Sequence, residues 1–319
     1  MRQEIVSDLN QSCDLLTEGD SAYRLNQGRK PLEKLWMFKI GSVSALFAVG
    51  LFCQPLPGIT AELEEPHFNG RVQEIVSESS TWEKNAVILR EATRFDDLGR
   101  IIETKTVYLW SRDGETQSDP PSIGRWFYDE KDRHIRTVYS GIMDMVLIFS
   151  YDERGKRSAQ TSYDKDGAMS MIFKYSYDAE GNEIEVNVLK GNGQLVKRFS
   201  HEYDTAHRLT RIMGFGEDGS VEYQVKNQYE NEGLVKRSLI YDGTGALDKK
   251  VVTSYLEGGL INEEVEYKSD GTVASKTSYS YECDHRGNWT KRTSTQVVTK
   301  ADVVSSELPN ITRRTFKYY

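Results

Sequence analysis

A repeat with a 26-residue period is the feature that most constrains how this chain can fold. From residue 151 onward an aromatic residue recurs at intervals of alternately 12 and 14 residues, and most copies have a glycine four positions later. These aromatic anchors are Tyr151, Tyr163, Tyr177, Leu189 (a degenerate copy), Tyr203, Phe215, Tyr229, Tyr241, Tyr255, Tyr267 and Tyr281. Such a fixed spacing indicates that each unit is one supersecondary element that packs against the next.

The residues that define the repeat predict hairpin turns. In the best copies the anchor begins the pattern Y-D-x-x-G, as in Tyr151–Gly155. The aspartate can accept hydrogen bonds from backbone N–H groups two residues on, and the glycine supplies the positive φ of a type I turn with a bulge. We therefore assign structural roles to Tyr151, Asp152, Gly155, Tyr163, Gly167, Tyr177, Asp178, Gly181, Tyr203, Gly219, Tyr229, Gly233, Tyr241, Gly245, Tyr255, Tyr267, Gly271, Tyr281 and Gly287.

Between the turns the sequence alternates between apolar and polar residues. Met171, Phe173 and Tyr175 alternate with polar Lys174 and Ser176, for example. Period two over about eight residues predicts half-buried β-strands. We expect an all-β fold, an antiparallel meander of 26-residue hairpins that curls into a barrel-like or open spiral β-shell. Eleven anchors imply roughly eleven strands and about 50 Å of sheet. One face of such a sheet would be a continuous apolar surface too large to remain exposed to water, so we expect the tyrosines on that face to be buried.

The repeat resembles that of the YD-repeat (Rhs-like) family of bacterial proteins. The matching motifs are Y-S-Y-D-A-E-G-N at residues 175–182 and Y-S-Y-E-C-D-H-R-G-N-W at residues 279–289, and the resemblance covers about residues 95–292. It implies a β-sheet shell or spiral with an extracytoplasmic location. The repeats are too few to enclose a toxin domain, and no toxin-sized segment follows residue 292. We therefore expect a small exported type without a toxin domain.

The N-terminal region predicts export. Residues 40–53 form a run of fourteen residues without a charge, preceded by basic residues and followed by Gln54-Pro55. At 1.5 Å per residue, this run makes about 21 Å of helix, short of the roughly 30 Å bilayer core. We predict a signal peptide at 37–61, preceded by an N-terminal extension or misassigned start at 1–36. The alternatives are an uncleaved membrane anchor at 36–57 and a buried cytosolic segment.

Three further regions complete the predicted organisation. Residues 62–127 are interpreted as an N-terminal cap with irregular strands, residues 128–292 as the hairpin repeats, and residues 293–319 as a C-terminal capping strand region. Of the three cysteines only Cys283 would remain after cleavage, so the mature chain could form no internal disulfide.

Composition and motifs argue against several kinds of chemistry. The formal net charge of −8, with no basic block, disfavours nucleic acid as a partner. A G-x-G-x-x-G match at 214–219 is followed by a strand pattern rather than the helix that a dinucleotide site needs. Neither G-x-S-x-G nor H-E-x-x-H occurs, and the five histidines have no metal-ligand spacing. The sequence therefore predicts no catalytic, cofactor-binding or metal-binding residues, and no enzyme.

The expected function is that of an exported structural or protein-interaction module that contacts an unknown envelope or extracellular protein. One alternative is binding of carbohydrate or cell wall through the repeat aromatics, with Trp289 as a possible ligand platform, because aromatic rings stack on sugar faces. A second alternative is a cytosolic, antitoxin-like partner-binding protein, which requires the export prediction to be wrong. Contact with a membrane is expected only through the N-terminal segment, if it is uncleaved.

Overall fold

The computed structural model describes residues 68–80, 88–112, 115–142, 144–230, 233–300, 303–306 and 309–319. The predicted signal peptide and the extension before it lie outside these residues. The described part of the chain contains no α-helix and consists of twenty strands. They are β1 (Val72–Ser80), β2 (Ile88–Phe95), β3 (Ile101–Arg112), β4 (Glu115–Ser118), β5 (Ser122–Tyr128), β6 (His134–Ser140), β7 (Met145–Tyr151), β8 (Arg157–Asp164), β9 (Met169–Tyr177), β10 (Glu183–Lys190), β11 (Leu195–Tyr203), β12 (Leu209–Phe215), β13 (Val221–Glu230), β14 (Val235–Asp242), β15 (Leu247–Tyr255), β16 (Ile261–Lys268), β17 (Val273–Cys283), β18 (Trp289–Lys300), β19 (Val303–Ser306) and β20 (Asn310–Tyr318).

The strands form one closed antiparallel barrel. Apart from β4 and β19, each strand pairs with the next along the chain, and β20 pairs with both β18 and β1, which completes the ring. Strands β4 and β19 extend hairpins from β3 and β18, so eighteen strands make up the barrel itself. The predicted all-β meander is confirmed, with closure into a barrel rather than an open spiral, and with more strands than the eleven expected.

The segments predicted as an N-terminal cap with irregular strands and as a C-terminal capping strand region supply strands of the barrel wall. Strands β1, β2, β3 and most of β5 come from residues 62–127, and β20 comes from residues 293–319. The closing pair β1–β20 runs from Val72 opposite Tyr318 to Ser80 opposite Ile311. These segments therefore join the two ends of the meander, which satisfies the backbone groups that an edge strand would leave unpaired.

The predicted turn chemistry is present at the strand ends. In the turn that follows β7, the N–H of Gly155 donates to the carbonyl of Asp152, and the N–H of Lys156 donates to the Asp152 carboxylate at 2.8 Å. Gly155 has φ of 79°, a left-handed conformation that glycine adopts without strain. Two copies place another residue there, Asp132 with φ of 61° and His207 with φ of 59°. The turn geometry is thus retained where the glycine is lost.

Burial separates the two faces of the barrel wall. The register places Phe173, Val186, Phe199 and Tyr223 on one face and alternates them with residues of the other. Among the described strand residues, those that are buried lie on this same face, except Val138 and Val146. Side chains converge on the concave side of a curved sheet and spread apart on the convex side, so we identify the more buried face as the inner face.

The turns are divided between the two ends of the barrel. We call one end the Asp rim, because turns there begin at Asp96, Asp129, Asp152, Asp178, Asp204 and Asp284. The described chain enters β1 and leaves β20 at this rim. The other end, which carries the turns at 164–168, 190–194, 216–220, 242–246 and 268–272, is the opposite rim.

The aromatic anchors do not share one buried face, which corrects the expectation from the sequence. The six anchors spaced 26 residues apart from Tyr151 to Tyr281 lie at the Asp rim on the inner face. The five anchors between them, from Tyr163 to Tyr267, lie at the opposite rim on the outer face. Consecutive strands run in opposite directions, so consecutive anchors reach opposite ends.

Candidate functional site

The inner face carries a continuous apolar surface on strands β9 to β14. We call it the apolar belt, and it consists of Phe173, Val186, Val188, Phe199, Ile212, Tyr223, Val225 and Ile240. Ile212 and Val225 have 0% of their surface exposed. The partly buried apolar side chains packed against the belt, Met171, Tyr175, Leu209 and Val251, come from the same stretch of wall and from β15. The apolar belt is therefore formed by side chains of neighbouring strands on one stretch of the wall.

Gly214 shapes the belt at its centre. It lies opposite Tyr223 on the neighbouring strand, and a Cβ at Gly214 would overlap the Tyr223 ring. The absence of a side chain lets this ring lie across β12 toward β11, where Phe199 is 6.5 Å away between ring centroids. Burial raises the pKa of the Tyr223 hydroxyl, which stays protonated.

The belt borders a polar patch nearer the Asp rim. His201 and Glu183 lie there on the inner face, with His201 Nδ1 3.1 Å from the Glu183 carbonyl oxygen. Burial raises the pKa of Glu183, opposed by Arg157, and burial lowers the pKa of His201. Tyr175 lies between the patch and the belt, and burial raises its pKa to about 12. These shifts all reflect removal of the inner wall from water.

A second polar cluster lies on the inner face near the seam between β18, β20 and β1. The Arg314 guanidinium stacks on the Trp289 ring at 3.7 Å, and Arg292 lies 5.6 Å from the same ring. Tyr281 contacts Trp289 edge to face at 6.1 Å. Burial, together with the nearby charge of Arg292, lowers the pKa of Arg314 to about 10. Trp289, predicted as a ligand platform, therefore has an arginine on its ring.

The tyrosines of the Asp rim are tied to the backbone. The hydroxyl groups of Tyr151, Tyr177, Tyr203, Tyr229 and Tyr281 donate to the carbonyl oxygen of the residue that begins the preceding strand, at 2.7–2.9 Å. Tyr128 makes the same bond to Ile101 at 2.8 Å. Each bond joins the end of one strand to the start of its neighbour. These tyrosines thus hold adjacent strands together at one rim.

Arginines complete this rim structure. Arg100, Arg133 and Arg208 each bind the aspartate that begins their own turn and place the guanidinium over the tyrosine of the next hairpin. The distances from guanidinium carbon to ring centroid are 4.7, 4.8 and 4.8 Å. The pKa of the carboxyl groups of Asp129 and Asp204 is lowered, chiefly by the hydrogen bond from the arginine side chain and next by hydrogen bonds from backbone N–H groups of the turn. We call this repeating arrangement of Asp, Arg and Tyr the rim ladder.

On strands β9 to β18 the outer face carries a row of charged side chains, whereas on β5 to β8 it carries an apolar cluster of Phe127, Val138, Val146, Ile148 and Tyr163. The members of this row follow one another from strand to strand, and all are exposed or half-buried. They are Lys174, Glu185, Arg198, Arg211, Lys226, Arg237, Lys250, Glu263, Lys276 and Lys291. Several form cross-strand ion pairs, such as Lys276 with Glu263 at 2.6 Å and Arg211 with Glu202 at 3.1 Å. The outer anchors are partly covered by the same cations, with Lys250 over Tyr267 at 3.9 Å.

The described residues contain no group of three or more His, Cys, Asp or Glu side chains that could hold a metal ion. Cys283 is a free thiol at an exposed position. Within the same residues, no helix has the length and apolar character needed to cross a bilayer. Among the polar groups that the described structure brings together are the inner polar patch, the cluster of Arg314, Arg292 and Trp289 (the Arg–Trp cluster) and the rim ladder.

Comparison with known proteins identifies the fold. No protein-family model matches this chain, and no curated protein matches it. A porin-like protein from Bacteroides uniformis is similar in structure, with a TM-score of 0.51 and 12% identity over 77% of this chain and 96% of that one. A TcdB2–TccC3–Cdc42 complex aligns with a TM-score of only 0.25, over 69% of this chain and 15% of that chain. The first similarity supports the barrel fold alone, because the identity is low.

Several residues of these sites are not marked by the repeat. Arg314 comes from the closing strand, and His201 and Glu183 hold positions that other copies fill differently. Trp289 was predicted from its motif, but its arginine partner lies on β20, which pairs with β18. A local pattern could not have indicated this pair, since the two residues meet only through the pairing of β18 with β20.

Proposed function

We propose that this chain is an exported, non-enzymatic β-barrel that serves as a structural or protein-interaction module of the cell envelope. The charge of the outer face supports this proposal most strongly. Barrels that span a bilayer carry an apolar band about 25 Å tall on the outside and polar residues within. Here the apolar belt lies inside, and the outer face of β9 to β18 carries a row of Lys, Arg and Glu. Such an outer face suits contact with water and with protein partners.

The roles already filled by the polar side chains support the non-enzymatic part of the proposal. The turn aspartates accept hydrogen bonds from their own backbone, and the Asp-rim tyrosines donate to strand carbonyls. These residues have structural partners and need no substrate to satisfy them. We also propose that the repeat is of the YD type, because its Y-D-x-x-G copies build turns of both rims in the same way.

Carbohydrate binding ranks below protein interaction. A sugar that stacked on Trp289 would compete with the Arg314 guanidinium at 3.7 Å, and one that stacked on Tyr151 would compete with Arg133. The antitoxin-like alternative shares the protein-binding surface and differs only in location. A single experiment on location and contact therefore separates the leading proposal from both alternatives.

The test is site-specific photo-crosslinking in cells combined with fractionation. A benzoylphenylalanine probe replaces Ser278, which is exposed on the outer face, or the neighbouring Thr277, which lies on the inner face. We expect the Ser278 probe to form a discrete protein adduct in the envelope fraction and the Thr277 probe to form none. A full-length, cytosolic chain that forms the adduct would instead favour the antitoxin-like alternative, and the absence of any adduct from the outer face would overturn protein interaction.

A further inference from the structure

A cavity of about 400 Å³ opens at the Asp rim, beside the closure of the barrel. Its walls come from β1, from the hairpin of β2 and β3, and from the end of β20. Two β-bulges lie here: Gln73 is the extra residue of β1 opposite β20, and Ile102 is the extra residue of β3 opposite β2. Bulges redirect side chains and are common next to active sites. Both bulge residues line the cavity, whose volume is in the range of small-molecule sites.

Tyr319 gives the cavity a fixed aromatic wall. Its N–H donates to the carbonyl of Arg71 at 3.1 Å, and its hydroxyl donates to the carbonyl of Phe95 at 2.8 Å. The guanidinium of Arg71 lies 5.2 Å from the centre of the ring. Tyr319 is nevertheless 53% exposed. The ring is therefore held in place by its own contacts and remains accessible to a ligand.

Two charged residues of the lining already have partners. Arg94 pairs with Glu103 at 3.3 Å. The carboxylate of Asp96 accepts hydrogen bonds from the backbone of its turn and from the side chain of Arg100 at 2.7 Å. The charges of Arg94 and Asp96 are thus compensated within the protein, and these residues shape the cavity without needing a ligand.

Three other charged side chains of the lining have no partner within the described residues. They are Glu74, Asp97 and Lys317, for which no ion pair or side-chain hydrogen bond is formed there. Glu74 lies opposite Arg94 on β2 and opposite Lys317 on β20, on the outer face, and pairs with neither. Asp97 and Lys317 are exposed and Glu74 is half-buried, so a ligand can reach all three.

We propose that this cavity binds a small diamino acid, a molecule with two ammonium groups and one carboxylate, such as lysine or ornithine. The two free carboxylates and the one free ammonium group of the lining match this charge pattern. The ligand carboxylate binds Lys317, its ammonium groups bind Glu74 and Asp97, and its methylene chain lies against the Tyr319 ring. Hydrogen bonds between charged groups are the strong ones. This site does not depend on the protein partner proposed above.

The test is isothermal titration calorimetry of the full chain at low salt with L-lysine, cadaverine and L-norleucine. Cadaverine keeps both ammonium groups and lacks the carboxylate, whereas norleucine lacks the second ammonium group. We expect each to bind about tenfold more weakly than lysine, the ratio that one charge-assisted hydrogen bond at an accessible site supplies. Equal binding of cadaverine would overturn the contact with Lys317, equal binding of norleucine would overturn a contact with one carboxylate, and no binding of lysine would overturn the site.

Lys317→Met separates the proposed contact from folding. The Lys317 ammonium group is exposed and has no partner in the described structure, so the Tm should stay the same. Lysine affinity should fall about tenfold while cadaverine affinity does not fall, because cadaverine has no carboxylate to lose a contact. A parallel loss of affinity for both probes would overturn the proposed orientation of the ligand.

Glu74→Gln tests the opposite end of the ligand and has a matched control on the same strand. Glu78 lies on the same face of β1, outside the cavity, and pairs with Arg90. We expect Glu74→Gln to weaken lysine binding and Glu78→Gln to leave it unchanged. Equal effects of the two substitutions would show that lysine responds to the general charge of the wall and would overturn the assigned site.

Discussion

At the scale of single residues, the turns depend on one backbone conformation. Gly245 has φ of 86°, and a Cβ there would have no neighbour within 4 Å. Any cost of substitution at this position therefore comes from the backbone alone. This separates conformational strain from packing, which most buried glycines do not allow.

We predict that Gly245→Ala lowers the free energy of unfolding by about 1 kcal/mol, the usual cost of the left-handed conformation for a residue with a Cβ. Gly245→Asn should cost clearly less, because asparagine tolerates that conformation. Urea unfolding of both variants measures the difference. Equal losses for Ala and Asn would mean that the turn does not retain its positive φ.

His134 makes stability depend on pH. Burial, with the nearby charge of Arg157, lowers the pKa of His134 to about 4 from an ordinary value of 6.5. Its neutral ring bonds the carbonyl of Arg136 and the hydroxyl of Thr137, and it packs at a tilt against the Phe149 ring, 4.2 Å away between ring centroids. The unfolded chain binds a proton first, so the stabilisation is complete above about pH 6.5 and is lost as pH falls toward 4.

We predict that the free energy of unfolding falls between pH 7 and pH 5, with His134 contributing about 2 kcal/mol at most. His201, whose pKa is also lowered, acts in the same direction. The measurement is urea unfolding at both pH values for the natural chain and for His134→Phe. The variant should show a smaller decrease, and an unchanged decrease would assign the effect to other groups.

At the scale of elements, the rim ladder couples one hairpin to the next. Arg133 donates from Nε to Asp129 at 2.8 Å within its own turn and lies 4.8 Å from the Tyr151 ring of the following hairpin. The aspartate orients the guanidinium, and the tyrosine hydroxyl fixes the ring to the carbonyl of His134. Each arginine thus has its position set by one hairpin and its contact in another.

A double-mutant cycle tests this coupling. We predict that Arg133→Gln and Tyr151→Leu each destabilise the barrel, and that the double variant loses about 0.5–1 kcal/mol less than their sum, the range measured for cation–π pairs. Arg154→Gln with Tyr151→Leu is the control, because Arg154 points to Asp152 and Asp178 instead. Additive losses for the Arg133 pair would show that the stacking contributes nothing.

The hairpins themselves could be predicted from the sequence, because their signals are local. An aspartate and a glycine at fixed offsets are enough to define a turn, and period two is enough to define the strands beside it. The face of each anchor could not be predicted in the same way. Pairing is irregular next to most turns, as between Ser150 and Tyr151, so the inward or outward direction depends on bulges that the repeat does not mark.

At the scale of the whole molecule, the repeat alone could not predict which strands close the barrel. The pair β1–β20 joins residues more than 200 positions apart, and neither strand carries a copy of the motif. The expectation of caps arose because these segments lack the repeat pattern. The same is true of the Arg–Trp cluster, which exists only where the last strands meet. Long-range pairing therefore accounts for most of what the sequence left open.

One side chain joins the three segments that meet at this closure. Asn288 is buried, accepts from the N–H of Asn69 at 2.8 Å, and donates to the Asn69 carbonyl at 2.8 Å and to the Tyr318 hydroxyl at 2.7 Å. The Tyr318 hydroxyl in turn bonds Asp284 at 2.5 Å. The turn after β17 is thereby tied to the chain before β1 and to the end of β20.

We predict that Asn288→Ala lowers the free energy of unfolding by about 2 kcal/mol, because it removes three hydrogen bonds that hold the closure together. Asn182 is the matched control, since it holds the same turn position but bonds only within its own turn and to His207, so Asn182→Ala should cost much less. Hydrogen exchange gives the location: amides of β1 and β20 should exchange faster in the Asn288 variant, while those of β11 to β13 stay protected. Uniformly faster exchange around the ring would mean that the barrel opens as one unit and that the seam is no weaker than the rest of the wall.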